Sequence, residues 1–220
     1  MGFDLHYALH IFPLLLRASL VTISVTVASF AIALLGGLII VLLRRSNQLV
    51  NILLGSAVEF IRSTPLLVQI LFIYLALPRW GIVLTAFQTG VIAMSLHYSC
   101  YLSEVYRAGL ESIPREQWDG SSALNFSAFD RYRSVILPQL VPRIVPAAGN
   151  FLVYMFKDSP LLAAISLVEL VFTAEQIGSD TFRYLEPMTL VGAIFLVLSL
   201  GAARLITLLE NRIGAAWLPR

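Results

Sequence analysis

Residues 18–43 run without a charged side chain, ending at Arg44 and Arg45. A helix needs roughly 20 apolar residues to cross a hydrocarbon core about 30 Å thick, and this run is long enough. In lipid every backbone N–H and C=O must find its partner inside the protein, so such a run commits the chain to helices. Composition extends the argument to the whole chain. Hydrophobic residues make up 58% and charged residues only 13% of the 220 residues, and soluble domains usually carry about 25% charged residues. The expected fold class is all-α integral membrane, with residues 1–220 as a single transmembrane domain and no linker or internal repeat.

Five candidate spans follow from the apolar runs: residues 18–43, 49–77, 80–106, 137–162 and 187–209. The third carries no charge from Trp80 to Ser103 and reads as the clearest span. Residues 3–16 are apolar but interrupted by His6, His10 and Pro13, which suggests a separate short interfacial helix. Ser29, Ala33 and Gly37 recur every four residues on the first span. Such a small-residue stripe lets a neighbouring helix approach closely. The opening MGFDLHYALH lacks the positive charges of a cleaved signal peptide, so the first apolar run is expected to be retained.

Arginine and lysine set the orientation, because cytoplasmic loops carry their excess. With the N-terminus outside, Arg44, Arg45, Arg107, Arg115, Arg131, Arg133, Arg143, Arg204, Arg212 and Arg220 lie inside, and Arg17, Arg79 and Arg183 lie outside. This distribution predicts N-terminus out and C-terminus in. Residues 108–136 then form a long cytoplasmic loop. Cys100 is the single cysteine and makes no intrachain disulfide. The net charge of +2 and the scattered basic residues exclude a nucleic-acid groove.

The polar loop carries helix signals. Ser112 before Pro114 suits a helix start, with Glu116 near the positive end. Asn125 suits a left-handed C-terminal cap. Ser127 with Asp130 forms an imperfect capping box for a second helix leading to Pro138. The result is a helix–turn–helix bracket that presents Trp118 and Leu124 beside Gly120, Ser121 and Ser122, a composition suited to docking a partner.

Charges inside spans are costly and face cavities or one another. Glu59 and Arg62, three residues apart, share a helix face and can pair. Lys157 and Asp158 are adjacent and so point to different faces. Either they meet the carboxylate and amine of a zwitterion, or they form a gate or inter-subunit salt bridge. His97 and Tyr98 are further polar candidates for a path. No metal site is expected.

A P-loop needs a glycine-rich turn ending in lysine before serine or threonine. The single lysine, Lys157, follows Tyr154-Met155-Phe156 and precedes Asp158, so the chain cannot bind ATP in that way. It also lacks a zinc-type His-Glu-x-x-His, paired intramembrane aspartates and a Gly-x-Ser nucleophile with a placed histidine. It is therefore read as a non-enzyme.

The polar loop resembles the EAA loop of ABC-importer permeases, whose pattern is Glu-Ala-Ala, three residues, Gly, nine residues, Ile-x-Leu-Pro. Asp119-Gly120-Ser121 stand at Glu-Ala-Ala, Asn125 at Gly, and Val135, Leu137 and Pro138 at the closing Ile, Leu and Pro. EVYRAGLESIPREQW (104–118), EFIRSTPLLVQILFIY (59–74) and FKDSPLL (156–162) are similar to the polar amino-acid branch, the histidine/glutamine/arginine-type permeases. The resemblance covers nearly the whole chain. It implies the type I (MetI-like) permease fold and a subunit that imports polar amino acids or related zwitterions, ectoine-like solutes included, across the bacterial cytoplasmic (inner) membrane. It implies a coupling helix with Glu116, Trp118, Asp119, Gly120, Ser121, Leu124 and Asn125 as ATPase-coupling residues, and Glu59, Arg62, His97, Lys157 and Asp158 as candidates for the path or gate. The implied partners are two ABC ATPase subunits that bind ATP and Mg, a second permease chain, identical or paralogous, and an extracytoplasmic solute-binding protein. The alternative class is a self-contained secondary transporter or channel subunit.

Overall fold

The computed structural model describes residues 2–217, so Arg220 lies outside the described residues. Those residues form helices and turns with no strand among them. The elements are α1 Leu5–Arg44, α2 Gln48–Ser63, α3 Leu66–Ala76, α4 Ala86–Glu111, α5 Arg115–Ala123, α6 Ala128–Arg131, α7 Leu137–Asp158, α8 Leu170–Thr181 and α9 Leu185–Trp217.

The residues expected to form a separate interfacial helix are instead the first turns of α1. Asp4 caps this helix by accepting a hydrogen bond from the Tyr7 N–H at 3.1 Å, and Pro13 sits inside it without ending it. These turns pack into the bundle: Ile11 and Leu15 join Leu170, Ala174, Val191 and Ile194 in one apolar cluster. Burial against α8 and α9 outweighs the preference of an isolated amphipathic segment for the interface.

The central contact is between α1 and α4. Gly36 lies against Ser99, Gly37 against Leu102, and Arg44 pairs with Glu104, so the two helices run parallel. Ser29, Ala33 and Gly37 are all buried there. A Cβ at Gly37 would sit 2.9 Å from the Leu102 Cβ and 3.0 Å from the Ser103 nitrogen, a distance real Cβ atoms do not tolerate. Around this seam Val25, Ala93, Met94, Leu102, Met155 and Leu162 form the main apolar core.

Segment two is not one straight rod. α2 and α3 meet at a 102° bend, where Thr64 is extended and Pro65 lacks the N–H to continue the ladder. α1, the segment Ala128–Ile165 and α9 are each long and apolar enough to cross a membrane; the bent α2–α3 pair, taken as one span, makes a fourth. α4, read from the sequence as the clearest span, falls short by that measure. Its buried face carries Thr89, Ser95, His97, Ser99 and Ser103, side chains that serve helix packing rather than lipid contact.

α7 continues through Pro142 and Pro146 and ends at Asp158. Fully buried Glu169 caps α8, accepting from the Phe172 N–H at 2.8 Å, and Thr22 of α1 donates to its carboxylate at 3.4 Å. Beyond the other end of α8, Arg183 reaches Asp4 at 3.2 Å and Glu186 at 2.7 Å, and covers the Tyr7 ring at 4.1 Å.

Two outcomes are expected. Gly37→Val forces the α1–α4 seam apart and lowers stability by about 1–3 kcal/mol. Gly201→Ala, in the interior of α9 with nothing within 4 Å of its Cβ, is tolerated and raises stability by about 0.5–1 kcal/mol, thermal melts of the two variants being the measurement. The Tyr7 N–H, helped by Arg183, holds the Asp4 carboxyl below its ordinary value of 3.8. The capping interaction is therefore fully present above that value and is lost as pH falls through the lower folded-state value. The protection factor of the Tyr7 amide, its exchange rate set against that of an unstructured peptide at the same pH, should fall on acidification, and Asp4→Asn should flatten that dependence.

Candidate functional site

Two regions gather the polar residues singled out in the sequence. The first lies within the bundle and starts from the Thr64–Pro65 break. A broken helix leaves carbonyls without amide donors, which lipid cannot satisfy. Gln69, one turn into α3, supplies the donors: its Nε2 reaches the Ile61 carbonyl at 2.7 Å, the Thr64 carbonyl at 3.1 Å and the Thr64 hydroxyl at 2.7 Å. The Gln69 Oε1 then faces His97 Nδ1 of α4 at 3.2 Å. With an amide oxygen opposite it, Nδ1 carries the imidazole proton.

His97 is buried and contacts two tyrosine rings, Tyr98 at 5.3 Å and Tyr101 at 5.1 Å between centroids. The Tyr98 hydroxyl donates to Asp158 Oδ2 of α7 at 2.5 Å, a short, charge-assisted bond. Tyr101 donates to the Arg62 carbonyl at 3.3 Å and lies under the Arg62 guanidinium at 5.0 Å. Phe151 packs on both tyrosines and on half-exposed Tyr154. A tyrosine-rich wall thus connects a carboxylate, Asp158, with a guanidinium, Arg62.

Of the five path candidates, His97, Asp158 and Arg62 meet in this cluster. Glu59 joins its edge through an ion pair with Arg62 at 3.4 Å, with its own side chain 72% exposed. Buried Arg62 Nε has no hydrogen-bond partner among the described residues. Lys157 is not part of the cluster. It is exposed and lines a cavity of about 560 Å³ with Pro160, Phe195 and Ser199, on the side of α7 that faces α9. Adjacent residues on a helix lie about 100° apart, which separates Lys157 from Asp158.

Sequence reading did not single out Gln69, Tyr101, Phe151 or Tyr154 as site residues. A signal was present: Gln69 follows the break-forming Pro65 by four residues, and Tyr98 with Tyr101, like Phe151 with Tyr154, has the i, i+3 spacing of one helix face.

The second region is the bracket after α4. Ser112 does not cap α5. It ends α4, donating to the Gly109 carbonyl at 2.7 Å, and Pro114 occupies the N-cap of α5. α5 ends at Asn125, which is left-handed at φ 56°, and the Phe126 N–H reaches back to the Ser121 carbonyl at 3.1 Å. Ser127 and Asp130 cap α6 reciprocally at 2.6 and 3.1 Å. A π-helical turn over Tyr132–Ile136 then leads into α7.

Ile113, Ile136 and Leu140 bury the inner side of this bracket, with Trp118 packed against them. The Trp118 ring meets Tyr132 edge-on at 5.8 Å and lies under Arg45 at 5.7 Å. Ser121 is buried as well. Glu116, Asp119, Gly120, Leu124 and Asn125 face outward, with Leu124 71% exposed. Of the seven coupling candidates, Ser121 is buried, Trp118 is partly buried against the bundle, and the other five are exposed.

Residues 29–215 match the family described as binding-protein-dependent transport system inner membrane component. The chain is 36% identical over 98% of its length to a probable amino-acid ABC transporter permease protein of Sinorhizobium fredii, covering 94% of that protein. It is 31% identical to an arginine transport system permease protein of Bacillus subtilis, over 91% of this chain and 92% of the relative. Among solved structures, an amino acid ABC transporter with histidines superposes with a TM-score of 0.89 at 34% identity, over 96% of this chain and all of that one. The MetNI methionine ABC transporter, in inward-facing conformations, shares the fold with a TM-score of 0.78 at 19% identity, over 95% and 98% of the two chains.

Gln69→Leu is expected to strand the Ile61 and Thr64 carbonyls at the break and to destabilise the protein by about 1–3 kcal/mol. His97→Gln, which keeps an amide beside Gln69, should lose less in the same melting experiment.

Proposed function

This chain belongs to the family of binding-protein-dependent transport system inner membrane components, and from that membership we propose that it is the permease subunit of an ATP-binding cassette importer for polar amino acids or related zwitterions. Ectoine-like solutes fall within the same chemistry. The observation that carries this reading is the cluster on α2, α3, α4 and α7, where Asp158 and Arg62 stand at two ends of one tyrosine wall. A zwitterion carries an ammonium and a carboxylate, and this wall offers a carboxylate for the first and a guanidinium for the second. The aromatic faces add attraction for the cation. The relatives named for amino-acid and arginine transport support the same substrate class.

The proposed topology has five spans, α1, the α2–α3 pair, α4, α7 and α9, with the N-terminus outside. The excess of arginine at the ends of α1, α4 and α9 supports that orientation. It turns the α5 bracket to the cytoplasm. There Glu116, Asp119, Gly120, Leu124 and Asn125 contact the ATPase subunit, while Trp118 and Ser121 hold the coupling helix in place. Two ATPase subunits supply ATP and Mg binding, since this chain has no P-loop lysine. A second permease chain completes the path, and an extracytoplasmic solute-binding protein delivers the substrate. Lys157, on the far side of α7, acts at a gate or inter-subunit contact rather than on the substrate.

Uptake of labelled amino acids by the assembled transporter in proteoliposomes tests the reading. Asp158→Asn should weaken apparent substrate affinity tenfold or more, about 1.4 kcal/mol, whereas Lys157→Met should leave affinity at the wild-type value. Asp119→Lys should leave membrane insertion intact and uncouple ATP hydrolysis from uptake. Uptake that follows an ion gradient and ignores ATP depletion would overturn the proposal in favour of a secondary transporter.

A further inference from the structure

A polar surface rich in basic groups lies apart from the tyrosine wall and beside the outward face of the bracket, with which it shares Asp119. It is a cavity of about 740 Å³ where the ends of α1 and α4 meet the start of α5. Four arginines from three helices line it: Arg44 and Arg45 from the end of α1, Arg107 from α4 and Arg115 from α5. Two carboxylates share the lining, Glu111 and Asp119.

The ion pairs divide these charges unequally. Arg44 is held by Glu104 and donates its Nε to Asn51 at 3.1 Å. Arg107 is held by Glu104 at 2.8 Å and by Glu111 at 2.7 Å. Arg45 and Arg115 have no carboxylate within 4.0 Å among the described residues. The cavity therefore keeps unneutralised positive charge against a single remaining carboxylate, Asp119. A guanidinium offers two parallel N–H donors that match the oxygens of a phosphate group.

The position of the cavity says what kind of phosphate reaches it. Arg44 and Arg45 stand where the apolar run of α1 ends, directly after exposed Leu42 and Leu43. On α2, Leu49, Ile52 and Leu53 are exposed on the turns around Asn51, which itself lines the cavity. A charged pocket bordered by bare apolar helix fits a molecule with an anionic head and hydrocarbon tails. Basic pockets between membrane helices at this level are sites for anionic headgroups.

We propose that this cavity binds the phosphate-bearing headgroup of an anionic phospholipid, with Arg45 and Arg115 as its principal ligands. Arg44 and Arg107, fixed by Glu104 and Glu111, form the rigid wall behind the headgroup. Arg45 also lies over Trp118 at 5.7 Å, so the bound lipid braces the helix that carries the bracket.

The test is native mass spectrometry of the permease–ATPase complex released from nanodiscs, a readout that does not depend on substrate or transport. In one arm the nanodiscs hold phosphatidylcholine and phosphatidylglycerol. In the other they hold phosphatidylcholine alone, with inorganic phosphate in the buffer. Phosphatidylglycerol should be retained in preference to phosphatidylcholine, and Arg45→Ala or Arg115→Ala should each lower retention about fivefold, the factor expected for one interfacial arginine. The Arg45→Lys, Arg115→Lys double variant keeps the charge and should retain part of the lipid, which separates loss of binding from loss of fold. Equal retention of the two lipids overturns the proposal, as does undiminished phosphatidylglycerol retention in an Arg45→Ala, Arg115→Ala double variant. Inorganic phosphate that occupies the site in the second arm, or that displaces phosphatidylglycerol when added to the first, overturns the lipid assignment.

Discussion

The close parallel contact between α1 and α4 is the constraint on which the other arrangements depend. It exists because Ser29, Ala33 and Gly37 leave no side-chain bulk on one face of α1, so α4 can approach backbone to backbone. Lipid provides little hydrophobic drive between helices, and packing plus interhelical hydrogen bonds must supply it. Both occur at this seam: Ser95 donates to the Ser29 carbonyl at 3.3 Å, and Tyr106 to the Leu34 carbonyl at 3.2 Å. The register so defined brings Arg44 level with Glu104 at one end. It also presents His97, Tyr98 and Tyr101 to the elements packed on the other side of α4.

A second constraint comes from the solvent. The α2–α3 break exposes carbonyls that water would satisfy in a soluble protein, and here Gln69 must do it. The same amide orients His97, so a structural requirement of the broken helix becomes an ordering element of the polar cluster. The cluster is thus tied to the backbone break on one side and to the end of α7 on the other, through Tyr98 and Asp158. Movement of either element would be felt by the other through Gln69, His97, Tyr98 and Asp158. That connection suits a transporter that changes conformation while holding a substrate.

The bracket is built from inside outward. Its buried half is a small apolar cluster around Ile113, Ile136 and Leu140, with Trp118 spent on internal contacts. The polar residues Glu116, Asp119 and Asn125 remain for the outside, on a helix whose ends are closed by Pro114 and Asn125. A helix of nine residues is held here by tertiary contacts, in keeping with the weak stability of isolated helices of that length.

The sequence alone determined the helical class, the small-residue seam, the Asn125 and Ser127 caps and the separation of Lys157 from Asp158, because each depends on residue type and on spacing within one helix. Membership followed from motifs spread over the chain, and the fold agrees with it. The sequence reading erred where a contact between distant segments overrides local preference. Residues 5–16 look interfacial in isolation, yet α8 and α9 give them a buried face, and α1 runs on through Pro13. Ser112 looks like a cap for α5, but the Gly109 carbonyl and Arg143 claim its hydroxyl. Only the tertiary structure could bring Gln69, His97, Tyr98 and Asp158 together, because they sit on three helices whose relative positions depend on how glycine and serine faces close. Spacing along a chain fixes which face of a helix a residue occupies; packing between helices decides what that face meets.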